Sequence, residues 1–384
     1  MHLSHKYDYI VTGGGCAGLS FIMQVLQTPA LQNKRILLIE KEAKNTNDRT
    51  WCFWEKGEGV FEKIVYRNWD RAWFHANAYS SLKGLTPYKY KMIRGIDFYS
   101  HCHEIIKNSP RVDHVIEEVT VLENIGDGVL VKTKIAEYQC QYVFNSILFK
   151  EPSIKPGYFY LLQHFKGWII ETEAPSFNPS EATLMDFRVS QQEGTTFFYV
   201  MPFSETKALV EFTLFTPSLL DDAVYEESLK NYIEEKLGIN NYKVSEKEFG
   251  VIPMTDHDFP EGDGRIVHLG TAGGKTKPSS GYTFTFIQKH VNELVLRLQN
   301  EGNPIVKSSN IKKRFLWYDR VLLHILFHRK VEGARIFHLL FKRNSIKRLF
   351  SFLDNESTIN QELILLNTLP QWPFMKAGWK ELFK

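Results

Sequence analysis

The chain has 384 residues, 43% of which are hydrophobic, and a formal net charge of +3 at neutral pH. This composition is typical of a globular protein with a sizeable core, and the length predicts two or three structural units. No run reaches the roughly 18 apolar residues that a membrane-spanning helix needs, and the four cysteines have no paired spacing, so that neither a disulfide framework nor a metal site is expected.

The first elements of the chain form a predicted β-α-β unit. A strand in "YDYIVTG" leads into a glycine-rich turn and a helix, and "RILLIE" at residues 35–40 is the second strand. Gly13, Gly15 and Gly18 fit the pattern G-x-G-x-x-G, and Glu40 ends the second strand. In this context the glycines let the backbone approach a pyrophosphate at the helix N-terminus, and the acidic residue accepts hydrogen bonds from ribose hydroxyls. The unit is therefore predicted to bind a dinucleotide.

The middle of the chain predicts a second sheet. A strand and a helix in "KYKMIRGIDFYSHCHEIIKN" are followed by a hairpin-rich stretch whose turn lies at Gly126-Asp127-Gly128. Several strand-like runs then succeed one another between residues 158 and 215, which favours a mostly antiparallel sheet. A helix after this sheet is predicted to end at Gly238.

A late segment, "RIVHLGTAGGKTKPSSGYTF", repeats the order of strand, glycine loop and helix. In flavoproteins whose N-terminal unit binds ADP, such a segment returns to the nucleotide-binding sheet and covers the flavin, which favours FAD over NAD. The alternative is a flexible loop. The glycines concerned are Gly270, Gly273, Gly274 and Gly281.

The C-terminal region is basic. Residues 310–350 contain eleven Lys and Arg but only two Asp and Glu, and the bases alternate with bulky apolar residues at helical spacing. Such helices are typical of proteins that bind membrane surfaces, but they also fit a helical bundle packed on the body with solvated lysines. No nucleic acid is expected, because no binding motif accompanies the charge. The first residues run directly into a strand and do not form a signal peptide, so that the predicted location is cytoplasmic, with peripheral contact to a membrane.

Together these elements predict an α/β fold with three parts. They are a discontinuous, Rossmann-like FAD-binding domain at 1–90, 91–150 and 245–300, an antiparallel substrate-binding sheet domain at 151–244, and a basic, membrane-facing helical region at 301–384.

Several segments of the chain also resemble the lycopene cyclases, the beta-cyclase branch of the FAD-binding flavoproteins that modify carotenoids. The segments that carry the resemblance are "DYIVTGGGCAGLS", "DRTWCFW", "QHFKGWIIET", "FFYVMPFSETKALVEFTLF", "EFGVIPM" and "LGTAGGKTKPSSGYTF". The resemblance implies a noncovalent FAD that acts in its reduced form, with NAD(P)H as the reductant, and a linear carotenoid substrate such as lycopene. It implies that open ends of the substrate are closed to β-ionone rings, giving β-carotene via γ-carotene, without net oxidation. Four further residues of these segments are implied at the cofactor: Ala17, Arg49, Thr50 and Tyr282.

The acid that such a reaction needs is predicted at Glu211. In "ALVEFTLF" strand alternation places Glu211 on a mostly apolar face, where burial would raise the pKa of its carboxyl and keep it protonated. Glu248 matches a second acidic position of the family. Many relatives have a second acid directly after the first, where this chain has Phe212, which puts any role of that second carboxylate in doubt.

Ring closure passes through a carbocation, and the negative faces of aromatic rings stabilise cations. Trp51 and Tyr199 are the aromatic residues that we predict at the substrate, although each also fits an ordinary place in the core. Two rival functions remain at this stage. One is a redox flavoenzyme of the same fold, such as a hydroxylase or prenyl reductase, and the other is a noncatalytic protein that holds flavin or docks on a membrane.

Overall fold

The computed structural model describes residues 6–150, 155–305 and 310–382, and the outer ends of the predicted domains at residues 1, 151 and 384 lie outside them. The first part of the chain forms β1 (Lys6–Thr12), α1 (Cys16–Gln27), β2 (Ile36–Glu40), β3 (Thr50–Lys56), β4 (Arg67–Trp69), β5 (Arg71–Ala76), β6 (Tyr79–Gly84), β7 (Tyr88–Arg94), α2 (Gly95–Lys107), β8 (Val112–Ile116), β9 (Val119–Ile125), β10 (Gly128–Thr133) and β11 (Glu137–Asn145).

The remaining part is richer in helix towards its end. It forms β12 (Tyr160–Thr172), β13 (Glu181–Asp186), β14 (Thr195–Pro202), β15 (Lys207–Thr216), α3 (Asp222–Asn231), β16 (Tyr242–Thr255), β17 (Gly262–Asp263), β18 (Ile266–His268), α4 (Phe284–Glu301), α5 (Asn310–Phe327), α6 (Gly333–Arg343), α7 (Ile346–Leu353), α8 (Ile359–Leu366) and α9 (Gln371–Leu382).

The predicted β-α-β unit is confirmed and belongs to a largely parallel sheet. Strands β18, β11, β1, β2 and β8 are parallel neighbours in this order, and β17 pairs antiparallel with β18 at one edge. All five residues of β2 are buried, as expected for a parallel strand covered on both faces. The late strand β18 lies in this sheet, as the sequence predicts. The hairpin of β9 and β10 turns at the predicted glycines and pairs with β11.

The second sheet has the order β16-β12-β15-β14-β13-β5-β6. It is antiparallel except for the parallel pair of β13 and β5, which confirms the predicted mostly antiparallel sheet. The range 151–244 is nevertheless too narrow for this sheet. The hairpin β5–β6 pairs with β13 from more than 90 residues away, and β16 continues beyond residue 244. Patterns in the sequence identify a strand from the residues next to it. They contain no information about pairing with a strand about 100 residues away.

The C-terminal helices pack on the second sheet. Leu323, Ile325, Ile336 and Phe350 are buried in the same hydrophobic core as residues of β5, β14 and β15. Several bases of α5 form ion pairs with acids of the body or of later helices: Lys312 with Glu261, Arg314 with Glu362, and Arg320 with Asp256 and Glu381. These contacts support the packed bundle for this stretch. None of the described helices combines the length and apolarity needed to cross a membrane.

Candidate active site

The glycines of the N-terminal turn have the three environments that dinucleotide binding requires. Gly13 has a φ of 97°, and a Cβ on Gly18 would lie 2.2 Å from the backbone oxygen of Gly13, so that only glycine lets the turn and α1 pack this closely. Around Gly15 there is no atom within 4 Å of the position of a Cβ. Gly15 also precedes α1, whose N-terminus has no side-chain cap. The first N–H groups of α1 thus have no side-chain cap and follow a glycine whose side-chain position is open, as the approach of a phosphate to a helix N-terminus requires.

Glu40 lies beside this turn and has unused hydrogen-bonding capacity. The residue is only 3% exposed, and neither carboxylate oxygen has a hydrogen-bond partner of good geometry among the described residues, although His114 Nε2 lies 2.6 Å from Oε1. A Cβ on the neighbouring Gly14 would lie 2.0 Å from Oε2. A buried acceptor without a donor is costly, and the hydroxyls of a bound ribose would supply the missing donors. The residues of this end therefore fit a dinucleotide.

The late glycine loop lies against the same helix. After β18 the chain makes a 3-10 turn at Gly270–Gly273, in which Gly270 has a φ of 54°. A Cβ on Gly270 would be 3.0 Å from the Cβ of Ala17, so that the two glycine segments are in direct contact. Gly273, Gly274 and Gly281 continue this loop, which leads into α4. The loop has the position that the sequence predicts, and its role at a cofactor stays a prediction.

A cavity of about 440 Å³ lies between this loop, β3 and the second sheet. It brings together residues that are far apart in sequence. Its lining includes the predicted site residues Arg49, Thr50, Trp51, Tyr199, Glu211, Glu248, Gly281 and Tyr282. Gly13, Gly15 and Glu40 do not line this cavity but form the separate nucleotide end described above.

Two carboxyl groups face each other in the cavity. Glu211 on β15 and Glu248 on β16 both pair with Gly167 on the intervening β12, so that the three residues form one row across the sheet. Thr213 Oγ1 donates a hydrogen bond of 2.8 Å to Glu211 Oε1, and Thr50 Oγ1 donates one of 2.9 Å to Glu248 Oε2. Each carboxyl group is therefore held by a neighbouring threonine.

The two acids differ in their surroundings. Glu211 is only 9% exposed, and burial together with the nearby Glu248 carboxylate raises the pKa of Glu211 well above its usual range. Burial also raises the pKa of Glu248, but hydrogen bonds from Thr50 and from Glu211 oppose this rise. Burial and the proximity of the two groups therefore favour a protonated carboxyl in this pair.

Phe212 points to the other side of the sheet. Its ring lies 4.9 Å from that of Phe198, and both residues are buried in a separate core beneath α3. A side chain at position 212 thus cannot join Glu211 in the cavity because strand alternation directs it away. Phenylalanine at this position therefore leaves the pair of Glu211 and Glu248 undisturbed.

The predicted aromatic residues line the cavity but also pack in the core. Tyr199 pairs with Glu211 in the sheet register and is buried. The ring of Trp51 lies 5.1 Å from that of Phe98. Sequence reasoning missed Gly167 and Thr213 beside the two acids, and it missed Tyr90 and Cys52, which also line the cavity. A glycine inside a long strand is a signal of close approach by another group, but the sequence does not tell which group.

The comparison with known proteins identifies the family. A family model described as "Lycopene cyclase protein" matches residues 8–378. The chain belongs to the lycopene cyclase family. Among the relatives of this lycopene cyclase family member is the chloroplastic lycopene beta cyclase of Nicotiana tabacum, with 28% identity over 301 residues, or 72% of this chain and 57% of that protein. The chloroplastic lycopene beta cyclase of Arabidopsis thaliana is 24% identical over 306 residues, or 73% of this chain and 57% of the relative. The matched part thus spans little more than half of either plant protein.

Solved structures share the fold of this lycopene cyclase family member. A geranylgeranyl bacteriochlorophyll reductase-like protein from Thermoplasma acidophilum superposes with a TM-score of 0.59 at 11% identity, covering 97% of this chain and 99% of that one. A flavoprotein/dehydrogenase from Cytophaga hutchinsonii gives 0.60 at 12% identity, covering 99% of each chain. HpxO of Klebsiella pneumoniae, in complex with FAD, gives 0.58 at 13% identity, covering 95% and 100%. At such low identity these likenesses show the fold alone, and they confirm the predicted fold class.

Proposed function

We propose that the protein is a lycopene beta-cyclase, which closes the linear ends of lycopene to β-ionone rings and so makes β-carotene via γ-carotene. The observation that carries the proposal is the buried Glu211 carboxyl, whose pKa is raised and which lies beside a second carboxyl in the cavity between β3, the second sheet and the late glycine loop. A neutral carboxylic acid in a site shielded from water is the proton donor that an alkene requires. Family membership supports the choice of a carotenoid substrate.

The cofactor of the proposed enzyme is FAD in its reduced form, with NAD(P)H as the reductant. Gly13, Gly15, Ala17, Gly18 and Glu40 would hold its ADP half. The flavin half would be held by residues that line the cavity and by glycines of the adjoining turn. The first group is Arg49, Thr50, Gly281 and Tyr282, and the second is Gly270, Gly273 and Gly274. The bound cofactor supplies an electron-rich ring system that stabilises positive charge near the substrate.

Two side chains of the cavity transfer protons in the proposed reaction, one to the substrate and one from it. Glu211 donates its proton to the terminal double bond of the polyene, and a second double bond attacks the resulting tertiary cation to close the ring. Glu248 accepts the proton that the ring then loses, which leaves the ring olefin. The substrate gains one proton and loses one, so that the product is an isomer and no electrons are transferred. Tyr199 and Trp51 line the site and exclude water, which would trap the cation.

Access to a carotenoid requires contact with a bilayer, and we propose that this contact is peripheral. On α9 the exposed residues Trp372, Met375, Trp379 and Leu382 are spaced three or four positions apart and therefore share one face. Trp372 is 76% exposed and Trp379 is 70% exposed. The preceding α8 adds exposed Ile359, Leu363 and Ile364, and Lys376 and Lys380 are exposed on α9. Aromatic and apolar side chains next to lysines suit an anionic membrane surface.

The experiment for the proposed reaction is expression in a host that accumulates lycopene, followed by pigment analysis. Wild-type protein is expected to yield cyclic carotenoids of unchanged mass, whereas Glu211→Gln should leave lycopene unconverted while still retaining flavin. Oxygenated or hydrogenated products would overturn the proposal in favour of a redox flavoenzyme. Conversion by Glu211→Gln at the wild-type rate would remove Glu211 as the acid.

A further inference from the structure

A glycine in the centre of β12 separates the two carboxyl groups of the cavity. Gly167 pairs with Glu211 on one side and with Glu248 on the other. Residues that pair directly in adjacent strands point to the same face of a sheet, and neighbouring strands lie about 4.8 Å apart. The two acids therefore originate roughly 10 Å apart and approach each other over the position where a side chain at residue 167 would stand.

The space over Gly167 is already filled by these side chains. A Cβ on Gly167 would lie 2.9 Å from Glu248 Cγ, 3.0 Å from Glu248 Oε1 and 2.9 Å from Leu209 Cδ1. Gly167 is not among the glycines with a positive φ, so that its backbone conformation suits any residue. A glycine in the interior of a strand weakens the strand, because it has no side chain that could pack against its neighbours. The requirement for glycine is thus steric, and the group that needs the space is mainly the Glu248 side chain.

The threonines that hold the acids act from outside the pair. Thr213 donates to one oxygen of Glu211, and Thr50 donates to one oxygen of Glu248. A hydrogen bond between the two carboxyl groups contributes to the pKa of each, since it raises the pKa of Glu211 and opposes the rise in the pKa of Glu248. Two carboxylates this close do not both ionise readily, and a single proton between them relieves their repulsion.

We propose that Gly167 is a positioning residue that lets Glu211 and Glu248 share one proton over β12. The inference rests on the proposed function for its role in turnover. After Glu248 has taken a proton from the closed ring, that proton passes to the Glu211 carboxylate. One O–H bond breaks at Glu248 and one forms at Glu211, which restores the acid for the next ring without a net change in protons.

The variant that tests the inference is Gly167→Ala, and its matched control is Gly84→Ala. Gly84 is the last residue of β6 and pairs with Arg71 of β5 in the second sheet. No atom lies within 4 Å of the position of its Cβ. The added methyl group at residue 167 must displace Glu248, and we expect a loss of about 100-fold in kcat because misplacement by about 1 Å is this costly. The alkaline limb of the pH–rate profile should move to lower pH, because the carboxylate that raises the pKa of Glu211 has moved away. Gly84→Ala should change neither quantity.

A double-mutant cycle separates positioning from a general loss of stability. If Gly167 acts through Glu248, then Gly167→Ala should cost less than about threefold when it is added to Glu248→Gln. The inference would be overturned if the loss in kcat of the double variant equalled the product of the two single losses. It would also be overturned if the alkaline limb of Gly167→Ala stayed at the wild-type pH. Melting temperature and flavin content of each variant establish that the folded proteins are compared.

A spectroscopic titration tests the shared proton without any activity. Infrared difference spectra of the purified wild-type protein should contain a protonated carboxyl band that persists above the ordinary pKa of a glutamic acid. The band should be lost in Glu211→Gln, and in both Glu248→Gln and Gly167→Ala it should titrate at lower pH. A protein that cyclises no carotenoid but has this band would contradict the proposed function alone. A band indifferent to Glu248→Gln would contradict the shared proton even in an active cyclase.

Discussion

A buried ion pair connects the late glycine loop to the C-terminal helices. Lys277 Nζ lies 2.8 Å from Asp319 Oδ1, and the side chains are only 2% and 5% exposed. Lys277 also donates a hydrogen bond of 2.8 Å to Asn355 Oδ1, and Ser279 donates one of 2.5 Å to Asp319 Oδ1. In Lys277→Met the carboxylate of Asp319 stays buried and loses its cation. Removing one partner of a buried pair costs about 3–5 kcal/mol.

The effect of this substitution should be visible in thermal and chemical unfolding. With an unfolding entropy of about 2.1 cal/mol/K for each of the 384 residues, 1 kcal/mol corresponds to about 1.2 °C, and the melting temperature is expected to fall by about 5 °C. The control is Glu301→Gln, which breaks the exposed pair of Arg297 and Glu301 on α4. An exposed helical pair of this kind contributes only about 0.3–0.5 kcal/mol.

A double variant supplies the decisive comparison. Lys277→Met combined with Asp319→Leu removes both buried charges, and it should recover more than half of the stability that the single variant loses. If the double variant instead loses the sum of the two single effects, the buried charge is not the cause. A cost of Lys277→Met as small as that of Glu301→Gln would refute the reasoning as well.

Three other expectations concern Glu211, the N-terminal glycine turn and the exposed apolar face of α9. Since burial and the neighbouring carboxylate raise the pKa of Glu211, the folded state binds its proton more tightly than the unfolded state does, and both turnover and this contribution to stability should fall as pH rises towards the raised pKa. An alkaline limb of the pH–rate profile at the ordinary pKa of a carboxyl would contradict this. Gly18→Ala should lower the melting temperature of the protein prepared without flavin, because its methyl group would lie 2.2 Å from a backbone oxygen. Gly15→Ala should leave that melting temperature unchanged, because its Cβ position is open, but it should weaken flavin retention. Equal melting temperatures for the two variants would argue against this division. The wild-type protein should float with vesicles of anionic lipid, and this binding should weaken with salt. The double variant Trp372→Ser, Trp379→Ser should not bind. Ile135→Ser, which removes an exposed apolar side chain on another surface, should bind as the wild type does. Equal flotation of all variants would count against the α9 face.

The sequence predicts best those features that neighbouring residues determine together. The strand, glycine turn and helix around Gly13 follow one another within a short stretch, and their hydrophobic pattern is that of a buried parallel strand and its helix. The inward direction of Glu211 was predictable for the same reason, because alternation along β15 is local.

Features that depend on register between distant segments were not predictable. The row of Glu248, Gly167 and Glu211 joins three strands, and no pattern within any one of them indicates which residues lie opposite. The basic helices pose the same difficulty. Arg314 and Arg320 are paired with Glu362 and Glu381, which follow them by more than 40 residues, and composition alone cannot distinguish such bases from solvated ones.

The contact between Ala17 and Gly270 has a consequence for biosynthesis. The two walls that meet there are synthesised at opposite stages of translation, since about 250 residues separate them in the chain. A ribosome that has delivered only the first glycine turn has delivered half of the proposed FAD site. Binding of the proposed cofactor would therefore wait until the loop that ends at Gly281 has emerged and returned to the start of the chain.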